Sequence, residues 1–275
     1  MNRLSIETRA QILGCLVEGN SLRAVTRMLG CSINTVTKFL VDVGTACDLY
    51  QNEVLRNLPC KRVQIDEIWS FCYSKSKNTS MEDRQSGRGD VWTWVALDAD
   101  TKLVASWLVG PRNTEYANIF VNDLAGRLAN RVQLTSDGYR AYLKAVDNAF
   151  GGNIDYGMLV KIYGVADGSQ HEKRYSPGVC KGTIIGTVSG NPEEKHISTS
   201  FVERQNLTMR MGMRRFTRLT NGFSKKIENH ANAVAMHYMH YNFGRIHKTL
   251  RVTPAMEAGI ADHVWSLEEI ARLAD

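Results

Sequence analysis

The stretch VQIDEIWSFCY (residues 63–73) decides how the rest of the chain is read. It is rich in β-branched and aromatic residues, which predicts a strand. An acidic pair, Asp66 and Glu67, interrupts the apolar run. A carboxylate in an apolar strand is costly to bury without a partner, so the pair is a candidate for chemistry. Strand alternation sends the two side chains to opposite faces. Glu67 shares its face with Val63, Ile65, Trp69 and Phe71, and Asp66 shares the more polar face with Gln64, Ile68 and Ser70. Asp66 is therefore favoured over Glu67 for the functional role.

Outward from this strand, residues 74–90 are polar and read as a loop. Residues 91–98 (VWTWVALD) and 103–109 (LVASWLV) read as two more strands, joined through Ala99-Asp100-Thr101-Lys102 in a hairpin. Residues 114–130 predict a helix with Tyr116, Ile119, Phe120, Leu124 and Leu128 inward. A short strand follows at 131–135, then Ser136-Asp137-Gly138, a helix over 139–149 and a strand over 158–163. Residues 164–198 contain Gly, Ser, Pro and charge without clear periodicity, and 199–215 and 224–243 read as long helices. Strands interleaved with helices predict an α/β domain, one mixed sheet with helices on its faces.

Upstream, residues 5–18 and 21–29 carry helical apolar spacing, broken at Gly19-Asn20 and Gly30. A third helix begins after Ser32, a candidate N-cap, with Ile33, Val36 and Leu40 on one face. Helix, short turn, helix is the outline of a small all-α helix-turn-helix domain over residues 1–45. Residues 46–62, with Pro59 and the basic pair Lys61-Arg62, read as a helix and linker into the second domain.

The 275 residues hold 43 % hydrophobic residues, enough for a large domain plus a small one. There is no apolar run long enough for a membrane span, and MNRLSIETRA is too polar for a signal peptide. The expectation is a cytoplasmic protein, nucleoid-associated if it acts on DNA. Six cysteines (Cys15, Cys31, Cys47, Cys60, Cys72 and Cys180) form no C-x-x-C pair and have no His pair at zinc spacing, so free buried thiols are expected. A net charge of +6 is weak evidence by itself for a nucleic-acid partner.

Three acids stand where the expected elements expose them: Asp66 in its strand, Asp137 directly after a short strand, and Glu203 near a helix start. Converging carboxylates repel one another, and a divalent cation relieves the repulsion. Oxygen ligands of this kind suit Mg²⁺ or Mn²⁺, and a pair of such ions can clamp the attacking and leaving oxygens of a phosphoryl displacement. Each acid also has an ordinary reading. Asp137-Gly138 is a turn sequence, Glu203 favours a helix dipole, and Asp98 and Asp100 belong to the hairpin. Composition and spacing do not by themselves single out the triad.

Three blocks, IDEIWSF (65–71), TSDGYRAY (135–142) and HISTSFVERQNLTMRMGMRRFTRLTNGFSKK (196–226), resemble the acidic blocks of bacterial insertion-sequence transposases, most closely the insertion-sequence-one family. NFGRIHKTLRVTPAMEAG (242–259) resembles the tail of many transposases and integrases. The likeness covers roughly residues 63–250, with 164–198 as an insertion and 251–275 as a tail. It implies an RNase H-like fold and a DNA transposase that binds the ends of its element. Asp66, Asp137 and Glu203 become catalytic residues and metal ligands for two Mg²⁺ ions. The implied chemistry is nicking at the terminal inverted repeats, then attack of a 3′-hydroxyl on target DNA. The implied assembly is a homo-oligomeric synaptic complex. Glu67, Asn206 and Arg210 match the motifs without an assigned role. Members often carry an N-terminal zinc-binding segment, for which this sequence has no Cys/His set.

The region after Glu203 is strongly basic. Arg204, Asn206, Arg210, Arg214, Arg215, Arg218, Lys225 and Lys226 are the expected DNA contacts, with Asn206, Arg210 and Arg214 on the Glu203 face of one helix. Ser32, Asn34, Thr35 and Lys38 are the expected DNA-facing residues of the helix-turn-helix. His247 and Lys248 are open to a place near DNA or the site, although a lone His is usually structural, and Met209, Met211 and Met213 read as packing. The alternatives are a non-catalytic helix-turn-helix regulator, a decayed transposase, or a nuclease without strand transfer. A pure binder has no need of an intact acidic triad.

Overall fold

A computed structural model of the chain describes residues 4–164, 178–217 and 221–275. Three helices open it: α1 (Ile6–Val17), α2 (Leu22–Leu29) and α3 (Ile33–Val54). Each starts on a serine. Ser5, Ser21 and Ser32 accept from the amides of Thr8, Ala24 and Thr35, satisfying one orphan donor apiece. Gly30 ends α2 in the left-handed conformation, at φ 66°, where a side chain would be strained.

The third helix runs further than the sequence suggests. Apolar residues recur through Val36, Phe39, Leu40, Val43 and Cys47, and α3 does not stop until Val54. Gly44 is no breaker: a Cβ there would lie 2.5 Å from the Asn232 backbone oxygen on α8 (Ile227–Met239). Gln51 crosses the same seam, donating to the Ala235 carbonyl at 3.1 Å. The stretch 46–62, read as a helix and linker, continues α3 to Val54. Its remainder is pinned by Leu58, which exchanges backbone hydrogen bonds with Arg127 and Ala129. At the other end, the Arg9 guanidinium of α1 reaches the Ala271 carbonyl and the Asp275 carboxylate, beside the last helix (Leu267–Arg272). One apolar core runs from Ile12 through the sheet to Ala271.

The rest is an α/β unit with a six-stranded mixed sheet flanked by helices. The strands are β1 (Arg62–Cys72), β2 (Gly89–Asp98), β3 (Val104–Gly110), β4 (Gln133–Ser136), β5 (Asp155–Gly164) and β6 (Val179–Ser189), in the order β3-β2-β1-β4-β5-β6. The pairs β1–β2, β2–β3 and β5–β6 are antiparallel, whereas β1–β4 and β4–β5 are parallel. The helices α5 (Thr114–Ala125), α6 (Ala141–Phe150) and α7 (Ser200–Gly212) join α8 around it. Among the described residues no helix is long and apolar enough to cross a membrane.

Several local expectations change. Residues 74–90 hold a 3-10 turn and a short helix, α4 (Met81–Gln85). On α5 the buried face is Ala117, Phe120, Val121 and Leu124, and Ile119 points outward at 47 % exposure. Residues 164–198 contain a full edge strand, β6, which the sequence alone did not reveal; 165–177 lie outside the described residues. Cys47, Cys60 and Cys72 are buried free thiols, but Cys180 on β6 is exposed. Met209 and Met213 pack in the core, whereas Met211 is exposed.

The α3–α8 seam has no room for a methyl group at Gly44. Gly44→Ala should destabilise the protein by about 1–3 kcal/mol through overpacking. Thermal unfolding followed by circular dichroism checks this, and an unchanged Tm would contradict the tight seam.

Candidate functional site

The site follows from where β4 stops. Its parallel ladder with β1 runs only from Arg62↔Gln133 to Gln64↔Thr135. Past Gln64 the β1–β4 ladder ends, β1 next meeting backbone on that side only at Cys72, which bridges Ser224, and the chain after β4 turns away at Asp137-Gly138. Side chains from both faces of β1 can then reach the same gap. One carboxylate oxygen from each of Asp66, Glu67 and Asp137 lies within 4.8 Å of the others. Alternation, which assigned Glu67 to the opposite face, holds for the backbone but does not keep its longer side chain out of the cluster.

Asp137 is fixed locally, its Oδ1 accepting from the Tyr139 amide at 2.9 Å in a tight turn ahead of α6. Glu203 arrives on the first turn of α7, and β1 itself secures that helix. The Gln64 Oε1 accepts from the amides of Phe201 and Val202, at 2.9 and 3.1 Å, where Thr199 offers no side-chain cap. The strand carrying Asp66 therefore holds the helix carrying Glu203. Asn206, one turn further, donates its amide to Asp66 Oδ2 at 2.8 Å.

Asp66, Asp137 and Glu203 line one cleft, with Arg112, Tyr139, Arg140, Lys161 and Thr199 also in its wall. Glu203 stands slightly apart from the other carboxylates. It is ion-paired with Lys161 of β5 and accepts from the Thr199 hydroxyl at 2.6 Å.

Electrostatics mark the centre of the cluster. Burial pushes the Asp66 carboxyl up to about 6, with further repulsion from Asp137 and Glu203, against the Asn206 hydrogen bond. Burial pushes Glu67 up to about 8, reinforced by Asp137 and opposed by Arg112. Three carboxylates gathered this closely fit a hard divalent cation, since every donor is oxygen and the mutual repulsion is what a cation removes. Glu67 Oε1 is buried without a hydrogen-bond partner among the described residues, which is the atom such an ion would satisfy.

The other sequence-derived site residues divide. Arg204, Arg214, Lys225 and Lys226 are exposed. Arg214 does not share the Glu203 face as expected: α7 ends at Gly212, Met213 is extended, and Arg214 lies in a separate 3-10 turn. Arg210 is half-buried near the end of α7. Arg215 turns inward, donating to the Ser224 hydroxyl at 2.9 Å, and burial lowers its pKa to about 10. Asn206 is buried against Asp66 and so faces the acids rather than the surface. Arg218 lies outside the described residues. On α3, Asn34 and Lys38 are exposed, Lys38 pairs with Asp42, and the Ser32 hydroxyl is spent on capping. Asp98 accepts from the Asp100 amide and the Thr101 hydroxyl, and Asp100 pairs with Arg62, so both serve the hairpin. Sequence reasoning did not find Gln64, Arg112 or Lys161. A polar residue two positions before Asp66 on the same strand face was the only signal for Gln64.

No protein-family model matches this chain, and no curated protein matches it.

The protonation of Glu67 has a measurable consequence. Unfolded, this carboxyl releases its proton near 4.5, whereas folded it holds the proton to about 8. Between these values unfolding releases a proton, so stability falls as pH rises from about 5 to about 8. Glu67→Gln should remove much of that slope, leaving a metal-free protein several degrees more stable than wild type at pH 8 and no different at pH 4. Thermal melts across the pH range check this; parallel profiles for the two proteins would contradict it.

Proposed function

We propose that the chain is a DNA transposase that cleaves DNA and transfers strands by metal-dependent phosphoryl transfer. The observation that carries this reading is the convergence of Asp66, Asp137 and Glu203, from three distant segments, on one cleft. The six-stranded mixed sheet flanked by helices is compatible with the RNase H-like fold that the resemblance implies. The three sequence blocks that resemble insertion-sequence transposases are the segments that bring these acids to the cleft, with Glu67 and Asn206 beside Asp66.

Asp66 and Asp137 would hold the cation, with Glu67 and Glu203 on either side of them. Two Mg²⁺ or Mn²⁺ ions are the complement that the resemblance implies. Bound there, such ions stabilise charge developing on phosphoryl oxygens and lower the pKa of a nucleophilic water. Asn206 keeps Asp66 in one rotamer by donating to it. Gln64 fixes the depth of the α7 terminus and hence of Glu203. Lys161 neutralises Glu203 until a cation or substrate competes for it.

DNA is the proposed partner, as element ends and as target, in a homo-oligomeric synaptic complex. The helices α2 and α3 form the proposed helix-turn-helix, with Asn34 and Lys38 facing the duplex and Thr35 beside them. Exposed Arg204, Arg214, Lys225 and Lys226 would meet phosphates nearer the cleft. Because α3 packs along α8, removing residues 1–45 would strip the core as well as the reading head. Point changes are the cleaner way to separate binding from chemistry.

Asp66→Asn, Asp137→Asn and Glu203→Gln should each lower Mg²⁺-dependent nicking and joining of DNA bearing the element's own ends by a thousandfold or more, with end binding largely retained. A gel-based cleavage and strand-transfer assay reads both. Full cleavage by any one variant would remove that residue from the triad. Binding without cleavage by the wild-type protein, in Mg²⁺ and Mn²⁺ alike, would instead favour a DNA-binding regulator.

A further inference from the structure

Arg112 lies between β3 and α5, in a loop fixed on three sides. The Trp94 indole donates to the Pro111 carbonyl at 3.3 Å, and Asn113 caps α5 by accepting from the Tyr116 amide at 2.9 Å. Gly110 lies against the Tyr116 ring with no space for a Cβ. From this loop the Arg112 side chain reaches into the cleft with the acids. Its guanidinium carbon sits 3.7 Å from the centre of the Tyr139 ring and 5.1 Å from that of Trp92. Its Nε faces the buried Glu67 carboxylate at 3.6 Å, too far for a hydrogen bond but close enough to orient the group.

A guanidinium has five N–H donors in a rigid fork. This one lies over the Tyr139 ring, with its Nε side toward Glu67. Among the described residues Arg112 makes no hydrogen bond, and its side chain remains 30 % exposed in the cleft wall. The other cations of the wall are placed differently. Lys161 is committed to Glu203, and Arg140 is exposed.

We propose that Arg112 is the phosphate-binding residue of the cleft, its free N–H edge receiving a non-bridging oxygen of a DNA phosphodiester beside the carboxylates. This rests on the reading of the cleft as a DNA-cleaving site. A planar, pre-oriented fork suits two oxygens of one phosphate, which a lysine ammonium cannot match. Glu67 then has two tasks, as a neighbour of the cation site and as the brace that aims Arg112.

The test is the salt dependence of binding of the full chain to a fluorescein-labelled DNA duplex, by fluorescence anisotropy, for wild type, Arg112→Gln and Arg112→Lys. Losing one phosphate contact on duplex DNA should make the slope of log K against log salt shallower by about 0.9. Arg112→Gln should show that change, a change that mere loosening of the loop would not produce. Arg112→Lys, which keeps the charge without the fork, should keep the wild-type slope while its kcat for Mg²⁺-dependent nicking falls about tenfold at unchanged KM. A wild-type slope for Arg112→Gln overturns the assignment while leaving the transposase reading intact. A wild-type protein that does not bind the duplex overturns that reading, and this inference with it. If Arg112→Gln does not fold, undiminished kcat in Arg112→Lys overturns the assignment on its own.

Discussion

Carboxylates crowded away from water repel one another, and the fold from β1 to α7 holds them together regardless. The Asp66, Glu67 and Asp137 oxygens lie within 4.8 Å of one another, half-buried or buried. In such a place the charged forms are penalised twice, by lost hydration and by each other. Protons can relieve the strain, which is why Asp66 and Glu67 bind them more tightly than usual. A divalent cation relieves it more fully and leaves the oxygens available as ligands. A chain that needed only stability would have an apolar residue at Glu67, with the neighbours it has.

The scaffold invests in keeping these groups together. A short β4 opens the gap beside β1. The Asp137 turn closes one wall, and Gln64 sets α7 on the other. The buried Tyr142 and Trp94 behind the site pack edge to face, with Tyr139 beside both. Tyr139 in turn carries Arg112 on its ring. The opening helices belong to the same construction, since α3 lies along α8 and α1 is tied to the last residues of the chain.

Much of this was legible in the sequence where the signal is local. Serine caps, the Gly30 turn, the 63–73 strand and the 91–109 hairpin can all be read from neighbouring residues, whereas the three acids were singled out by the resemblance of their blocks. The parts that were not legible depend on contacts between distant segments. The length of α3 was not legible because it depends on α8, which packs along it at Gly44 and Gln51. Glu67 reads as a residue of the far face until β4 is seen to stop short. Asn206 and Arg215 read as DNA-facing groups in a basic stretch, yet one donates to Asp66 and the other turns in toward Ser224. The strand β6 lacks strong alternation because, as an edge strand, much of it is exposed on both faces.

The central claim is that Asp66 and Asp137, with Glu67 beside them, form a divalent-cation site. Crystals of the protein grown with Mn²⁺, and measured at a wavelength where manganese scatters anomalously, test it most directly. An anomalous peak bridging the Asp66 and Asp137 carboxylates, absent from crystals of Asp66→Asn, is the expected result. Well-ordered carboxylates with no peak among them at millimolar Mn²⁺, or a peak held by other residues, would contradict it.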